Sequence, residues 1–168
     1  YAKTGVLVTL GFKDSTPGHP TQGYWTSATS AADLPDHIWF DRCYLHSNLP
    51  LNSSDADHFC AVGIEMSGTN LAAVDSYIGN MRMGGEESYA IHLYQGVGPY
   101  KITNNYLEAA GINFFSGGGD PTISGSIPSD IEFRGNYVHK QPTWKQENGF
   151  YAVKNLLELK NAVRVLID

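Results

Sequence analysis

The chain has 168 residues, and its 11 Lys plus Arg against 17 Asp plus Glu give a formal net charge of −6 at pH 7. A negative chain without a Lys/Arg cluster gains no counterion-release energy on a polyanion, so nucleic acid and anionic membranes are excluded as main partners. No apolar segment approaches the roughly twenty residues needed to cross a bilayer, so no membrane span is expected. The 18 Gly and 10 Tyr, with many Asn and Ser, are typical of a turn-rich β protein.

A short pattern recurs four times along the chain: apolar, any residue, apolar, three further positions, then Tyr and an aliphatic residue. The copies cover residues 38–45, 71–78, 100–107 and 131–138, and a fifth begins at Val163. Their Tyr residues are separated by 33, 29 and 31 positions. A period near thirty indicates a solenoid, in which stacked repeats bury a core that one repeat could not bury alone.

A second recurring element, the apolar–polar–apolar triplet, lies between these copies. Alternation points the outer two residues of each triplet inward and the middle residue outward. We therefore predict about five coils of short strands joined by bends. The predicted core includes Leu10, Phe40, Ile64, Met66, Ile91, Leu93, Ile102, Ile112, Phe114, Phe133, Leu157 and Leu159. The outward middle residues are Thr9, Glu65, His92, Asn113 and Glu158.

The bend before each repeated Tyr carries a small side chain. The aligned residues are Cys43, Ser76, Asn105 and Asn136. An inward polar side chain at a bend can bond its own backbone and its copy one coil away, so we predict a partial Asn ladder. The following rings are predicted to stack outward, either as a structural ladder or as a platform for sugars. These rings are Tyr44, Tyr77, Tyr106 and Tyr137.

Cys43 and Cys60 are the only cysteines, too few for a metal cluster. In a secreted chain they are a candidate disulfide, which the loop-entropy model values at about 3 kcal/mol. The alternative is two buried thiols. Residues 1–168 are expected to form one domain, and the absence of an initiator Met suggests a fragment or a processed part of a longer chain.

Residues 36–46, 102–111 and 153–161 resemble the right-handed parallel β-helix of the pectate-lyase-like superfamily, and within it the secreted bacterial β-helix repeat proteins. The resemblance covers nearly the whole chain and implies an all-β solenoid with long loops, secreted or at the cell surface. It says little about activity, because this fold hosts lyases, hydrolases, epimerases, adhesins and phage tailspikes. Residues 38–43 are also similar to a Trp-Ile-Asp-His stretch of pectate lyases, with Arg42 in place of His. The strings Gly-His-Gly, Asn-Thr-Asp and Asp-Asp expected of polygalacturonases are absent from the sequence.

The resemblance implies that the sheet carrying the triplets, with its loops, floors a substrate groove. Outward residues on successive coils, ~4.8 Å apart, would make Glu65, His92 and Asn113 neighbours in one column. A carboxylate beside an imidazole can act as an acid–base pair. We predict Glu65, His92 and Glu158 as catalytic residues, with Asn113 orienting a ligand. The alternative is an ordinary polar face of a solvated sheet, and a column covered by loops would argue against an enzyme.

Long loops rich in Gly, Pro, Ser and Thr supply the remaining site predictions. Trp25, Trp144 and Lys154 are predicted to bind substrate, although loop aromatics also serve to fix a loop to the body of a protein. No metal ligand is assigned. A Ca²⁺ site is one interpretation of the oxygens at Asn52, Asp55 and Asp57, and a solvated acidic loop is the other.

Two function classes follow from these observations. The first is an extracellular β-helix that binds polysaccharide and, as an enzyme, cleaves it by lyase chemistry. That chemistry needs a base and a cation that stabilises an enolate, for which Lys154, Arg82 and Lys140 are candidates. The second is a non-catalytic structural or adhesive scaffold, a surface or fibre component, that self-associates through the apolar strand 163–167.

Overall fold

The structure is a computed structural model that describes residues 11–13, 28–47, 59–146 and 150–168. In these residues the regular secondary structure is almost entirely β-strand, with a single-turn 3-10 helix (Ala31–Asp33) and one short helix, α1 (Pro142–Gln146). The strands are β1 (Gly11–Lys13), β2 (Trp39–Asp41), β3 (Tyr44–His46), β4 (Phe59–Glu65), β5 (Leu71–Val74), β6 (Tyr77–Met81), β7 (Tyr89–Leu93), β8 (Tyr100–Thr103), β9 (Tyr106–Ala109), β10 (Ile112–Ser116), β11 (Ser129–Arg134), β12 (Tyr137–His139), β13 (Leu157–Leu159) and β14 (Val163–Ile167).

The strands form three sheets whose order follows the coils. The first sheet runs β1-β4-β7-β10-β13, the second β14-β11-β8-β5-β2, and the third β12-β9-β6-β3. Neighbouring strands are parallel, apart from β1, which pairs antiparallel with β4. The chain is therefore a parallel β-solenoid of about four coils, which confirms the predicted all-β architecture with one coil fewer than expected.

Left-handed backbone conformations mark both ends of the second-sheet strands. At their starts, φ values of 52° to 56° occur at His37 and Asn70, which precede β2 and β5, and at Asp130 and Arg164, the second residues of β11 and β14. After them, values of 50° to 60° occur at Arg42, Asp75, Asn104 and Gly135. Asn, Asp and Gly adopt this conformation at the lowest steric cost, which explains their frequency in the repeat. Because each bend recurs at the same position, successive coils superpose in register.

The interior of the coil is apolar, and most of the predicted core is confirmed. The buried members of that prediction are Ile64, Met66, Ile91, Leu93, Ile102, Ile112, Phe114 and Phe133. Phe40 and Leu157 pack against the core while partly buried. Leu159 is 38% exposed, so its assignment to the core was wrong. It lies in β13, the last strand of the first sheet, and is covered by a neighbouring strand on one side alone. Leu10 and Thr9 lie outside the described residues.

The bend ladder is confirmed. Asn105 Oδ1 accepts from the Ser76 backbone N–H at 3.0 Å, and Asn136 Oδ1 accepts from the Asn105 N–H at 3.0 Å. The amide of Asn105 donates to the Ala73 carbonyl, and Ser76 Oγ accepts from the Cys43 N–H. Each bend thus binds the next, so the ladder joins all four coils.

The tyrosine column is confirmed as a stack on the outer face of the third sheet. The ring centroids of Tyr44 and Tyr77 are 4.7 Å apart, those of Tyr77 and Tyr106 are 4.6 Å apart, and those of Tyr106 and Tyr137 are 5.5 Å apart. Aromatic pairs at these distances contribute roughly 0.5–1.5 kcal/mol each beyond their buried area. The stack therefore helps to hold the coils together whether or not it touches a ligand.

Both cysteines are free, which agrees with the two-thiol alternative and not with a disulfide. Cys60 is buried, and burial raises the pKa of its thiol to about 11. A thiol with so high a pKa is almost fully protonated at neutral pH and is a poor nucleophile.

The Asn ladder generates the first prediction. Asn105→Ala removes the hydrogen bonds of the amide and leaves the buried Ser76 N–H and Ala73 carbonyl without that partner. We expect the free energy of unfolding, measured by urea denaturation, to fall by about 3 kcal/mol. The control is Asn104→Gly, because Asn104 is left-handed and its amide donates to Asp75 at the exposed surface. Water replaces that bond, so the substitution should change stability by less than about 0.5 kcal/mol. If Asn105→Ala and Asn104→Gly both lowered the free energy of unfolding by the same small amount, the ladder would not be stabilising.

Candidate functional site

The predicted column of the first sheet contains Glu65, His92, Phe115 and Glu158 in the structure. Glu65 of β4 lies beside His92 of β7, His92 beside Phe115 of β10, and Phe115 beside Glu158 of β13. The placement of Asn113 in this column was wrong, because the register of β10 differs from the predicted one by two residues. A shift of two preserves which residues face inward, so the core assignments in β10 remained correct.

Asn113 is fully buried and turns toward the third sheet. Its amide nitrogen donates to the backbone carbonyls of Leu107, at 2.9 Å, and His139, at 2.6 Å. These contacts join β10 to β9 and β12. Asn113 therefore holds two sheets together and is not placed to orient a ligand over the column.

Glu65 and His92 are neighbours, as predicted, and form a buried ion pair. His92 Nδ1 lies 2.7 Å from Glu65 Oε2, and His92 Nε2 lies 2.8 Å from the carbonyl oxygen of Gly117. Ser67 Oγ donates to the other carboxylate oxygen of Glu65 at 2.6 Å. Since both ring nitrogens face acceptors, this geometry is satisfied when both carry a proton and the ring is an imidazolium.

Two opposing effects set the pKa of His92. Burial by itself lowers the pKa, but the charge of Glu65, its hydrogen bond and the carbonyl of Gly117 together outweigh burial and raise the pKa. The stabilised form of the ring is therefore the charged one. A charged imidazole has no lone pair with which to accept a proton from a substrate.

The pair is also covered. The side chains of His92 and Glu65 are only 4% and 7% exposed. The rings of Tyr89 and Phe115 stack against His92 with centroids 5.0 Å away in both cases. The carbonyl of Gly117, in the loop that follows β10, occupies the Nε2 edge of the ring. The catalytic role of Glu65 and His92 remains a prediction, and this cover weighs against it.

The other predicted site residues that the structure describes have partners of their own, including Glu158 at the end of the column. Glu158 is bound by Asn155 and Lys160, and Lys154 pairs with Glu87. Trp144 is fully buried in a small cluster with Met83, Ala110 and Tyr151, so it fixes its loop to the body and does not contact solvent. Trp25, Asn52, Asp55 and Asp57 lie outside the described residues.

Two of the cations considered for lyase chemistry also have structural contacts. Lys140 Nζ donates to the carbonyls of Ala109, Ala110 and Gly111 at 2.6 to 2.9 Å, and burial lowers its pKa to about 8. Arg82 is fully buried and donates to Asn80 Oδ1 at 2.7 Å. Neither side chain is placed to meet a substrate on the surface.

A second carboxylate–imidazole pair, not predicted from the sequence, lies on the third sheet. Glu108 is buried, and one of its oxygens lies 2.9 Å from His139 Nδ1 and accepts from Tyr106 and Gln141. His139 retains 30% side-chain exposure. Glu108 and His139 each lie two positions after a Tyr of the stacked column, so the repeat in the sequence already aligned them on neighbouring coils.

An open groove of about 550 Å³ lies on the outer face of the second sheet. Register places Trp39 of β2 beside Ala72 of β5, Ala72 beside Lys101 of β8, and Lys101 beside Glu132 of β11. The short side chain of Ala72 forms the low point between the longer side chains of Trp39 and Lys101. We call this surface the Trp39 groove; His37, Asp41, Asn70, Leu71, Val74, Pro99, Tyr100 and Asp130 complete its lining.

Trp39 is the main apolar surface of this groove. Trp39 is 70% exposed, yet its indole N–H donates to the backbone carbonyl of Asn70 at 3.2 Å. The hydrogen bond fixes the ring while leaving it in contact with solvent. A large exposed aromatic ring with its polar atom already satisfied presents a preorganised apolar face to a ligand.

The described residues contain no group of three or more His, Cys, Asp or Glu side chains arranged to hold a metal. Within the same residues no helix is long and apolar enough to span a membrane.

No protein-family model, curated protein or solved structure matches the chain. The three sheets of stacked strands support the resemblance inferred from the sequence at the level of the fold: the chain is a parallel β-helix protein.

The Glu65–His92 pair generates a prediction about pH. A histidine whose folded pKa is raised stabilises the fold fully below its unfolded pKa of about 6.5, and this contribution is lost as pH rises through the folded pKa. Glu65→Gln removes the carboxylate charge that raises the pKa of His92. The buried ring must then either stay charged without its partner or lose its proton. We expect its free energy of unfolding at about pH 6 to be lower than that of the parent by about 3 kcal/mol.

The difference between parent and Glu65→Gln should narrow as pH rises from about 6 toward 9, because the parent then loses the protonated form of His92. Urea denaturation at a series of pH values measures it. The control is His37→Gln, since His37 is exposed and pairs with Asp36 at the surface; its effect should stay below about 1 kcal/mol. A difference independent of pH would contradict the buried imidazolium.

Proposed function

We propose that this chain is an extracellular β-helix domain that binds polysaccharide, with the Trp39 groove as its contact surface. The observation that carries the proposal is the fixed and exposed indole of Trp39 at the edge of a groove lined by Asp41, Asn70, Lys101 and Glu132. The C–H groups of a pyranose pack against an aromatic face. Carboxylate and amide oxygens accept hydrogen bonds from sugar hydroxyls, and the ammonium donates to them.

The first sheet is a weaker candidate for the contact surface. Glu65 and His92 satisfy each other and are covered by Tyr89 and Phe115. A sugar could reach them only if the Gly117 carbonyl and the two rings moved away. In this proposal, the pair stabilises the coil, and binding takes place on the second sheet without cleavage at the first.

A depletion assay tests the proposal. The purified chain is mixed with a panel of neutral and acidic polysaccharides, and the bound fraction is measured. Trp39→Ala should weaken binding by about tenfold or more, because it removes the apolar face of the groove. Tyr137→Ala is the matched control: Tyr137 is 62% exposed but lies on the third sheet, so its loss should leave binding unchanged. Equal losses in both variants would contradict the proposed surface.

The same samples test cleavage. Reducing ends and unsaturated-product absorbance are followed with and without Ca²⁺, and we expect no product from any polysaccharide. A product that is lost in Glu65→Ala and His92→Ala, with both variants still folded, would show that the active site lies on the first sheet. It would refute a purely stabilising role for this pair.

A second candidate function is a structural or adhesive scaffold, and the apolar side chains of β14 favour it. Leu166 and Ile167 are each more than half exposed. Exposed apolar side chains on an edge strand promote pairing with a second strand. Concentration-dependent association in analytical ultracentrifugation, removed by Leu166→Lys, would support the scaffold. A monomer at every concentration would exclude self-association through β14.

A further inference from the structure

We infer that the Trp39 groove selects neutral glycans over acidic ones such as uronate polymers. The inference rests on the proposed function, because it specifies the class of polysaccharide that the same groove accepts. It is drawn from the charges around the groove, from its low point at Ala72, which we call the floor, and from the net charge of the whole chain.

Carboxylates line the groove, and two of them are held by a neighbouring guanidinium. Asp41 accepts from Nε and Nη2 of Arg42 at 3.0 and 2.8 Å. Asp130 accepts from Nε and Nη2 of Arg164 at 2.6 and 2.8 Å. Bidentate pairing neutralises each charge but leaves lone pairs on the carboxylate oxygens. Such oxygens remain acceptors for hydroxyl groups.

The centre of the groove is balanced in the same way. Lys101 and Glu132 are adjacent in register on β8 and β11, so one positive and one negative group lie side by side. Arg134, 3.7 Å from Glu132, is itself bound to Asp168 at 2.9 Å. The groove therefore offers no excess of positive charge to attract a polyanion.

The rest of the molecule opposes an acidic ligand. The chain carries a formal net charge of −6. Charges act over a screening length of about 8 Å at physiological ionic strength, so a ligand with a carboxylate on every sugar meets repulsion along its length. A neutral glycan avoids this repulsion. It gains the stacking surface of Trp39 and the hydrogen-bonding groups of the groove in full.

The floor explains how a ring fits between the charged groups. Ala72 separates Trp39 and Lys101, which lie two coils apart, or roughly 10 Å at ~4.8 Å per coil. A sugar ring that stacks on Trp39 can therefore rest over Ala72, with its hydroxyls directed toward Lys101. In this arrangement Lys101 serves as a hydrogen-bond donor to a hydroxyl, and its charge is not required for recognition.

Calorimetry with matched oligosaccharides tests the inference. The full chain is titrated with cello-oligosaccharides and manno-oligosaccharides as neutral probes, and with oligogalacturonates and oligomannuronates as acidic probes of the same length. Each titration is repeated at low and at high NaCl concentration. We expect at least one neutral probe to bind about tenfold or more tightly than either acidic probe, with an affinity that salt changes by less than about twofold.

Three variants sharpen the test. Trp39→Ala should weaken the neutral probe by about tenfold or more, and Ala72→Leu, which fills the floor, should do the same. Lys101→Met keeps the aliphatic stem without the charge and should weaken it by about fivefold or less, since one hydrogen bond is lost. Circular dichroism and melting temperatures establish that each variant is folded, and Tyr137→Ala again serves as the control.

The outcomes separate the inference from the proposed function. Tighter binding of an acidic probe, lost on Trp39→Ala, on Lys101→Met and at high salt, would overturn neutral selectivity and leave glycan binding by the groove intact. Failure of every saccharide to bind in a Trp39-dependent way would overturn the proposed function itself, and the inference with it. Neutral binding that Ala72→Leu does not affect would refute the placement of the ring over the floor.

Discussion

The stacking of equivalent residues in successive coils is the constraint on which the rest of this structure depends. A single coil buries too little apolar surface to be stable, so each coil gains its stability from the neighbours above and below it. Stacking in register places Asn105 between Ser76 and Asn136, and Tyr106 between Tyr77 and Tyr137. Every face of the molecule is consequently a set of columns, and the chemistry of a face is decided by which side chains share a column.

Stacking also explains why an acid–base pair can be part of the fold. Glu65 and His92 meet because their strands are in register, and Phe115 follows them in the same column. With an aromatic ring on one side and the Gly117 carbonyl on the other, the pair is removed from water. A buried ion pair adds little net stability but penalises any register that separates its members. A shifted alignment of β4 with β7 would therefore leave a buried charge without its partner.

In the part of the chain that the structure describes, the second sheet is open because of its bends. The turns from the second to the third sheet contain only residues 42–43, 75–76, 104–105 and 135–136, and each begins with a left-handed residue. Turns of two residues are too short to fold back over the sheet. The longer connection from β10 to β11, by contrast, supplies the Gly117 carbonyl that covers His92. Loop length in each coil therefore separates a covered face from an exposed one.

The sequence by itself determined the solenoid, the Asn and Tyr ladders and much of the core, because the period of the repeat and the alternation within strands are local properties that every coil repeats. It also identified Glu65 and His92 as neighbours. Only the tertiary structure decided that Phe115 and not Asn113 follows them, that Trp144 is buried, and that the accessible groove lies at Trp39. The physical reason is that register and cover depend on non-local contacts, such as the hydrogen bond that the Gly117 carbonyl accepts from His92. A backbone carbonyl has the same chemistry at every position of the sequence, so its place cannot be read from its neighbours in the chain.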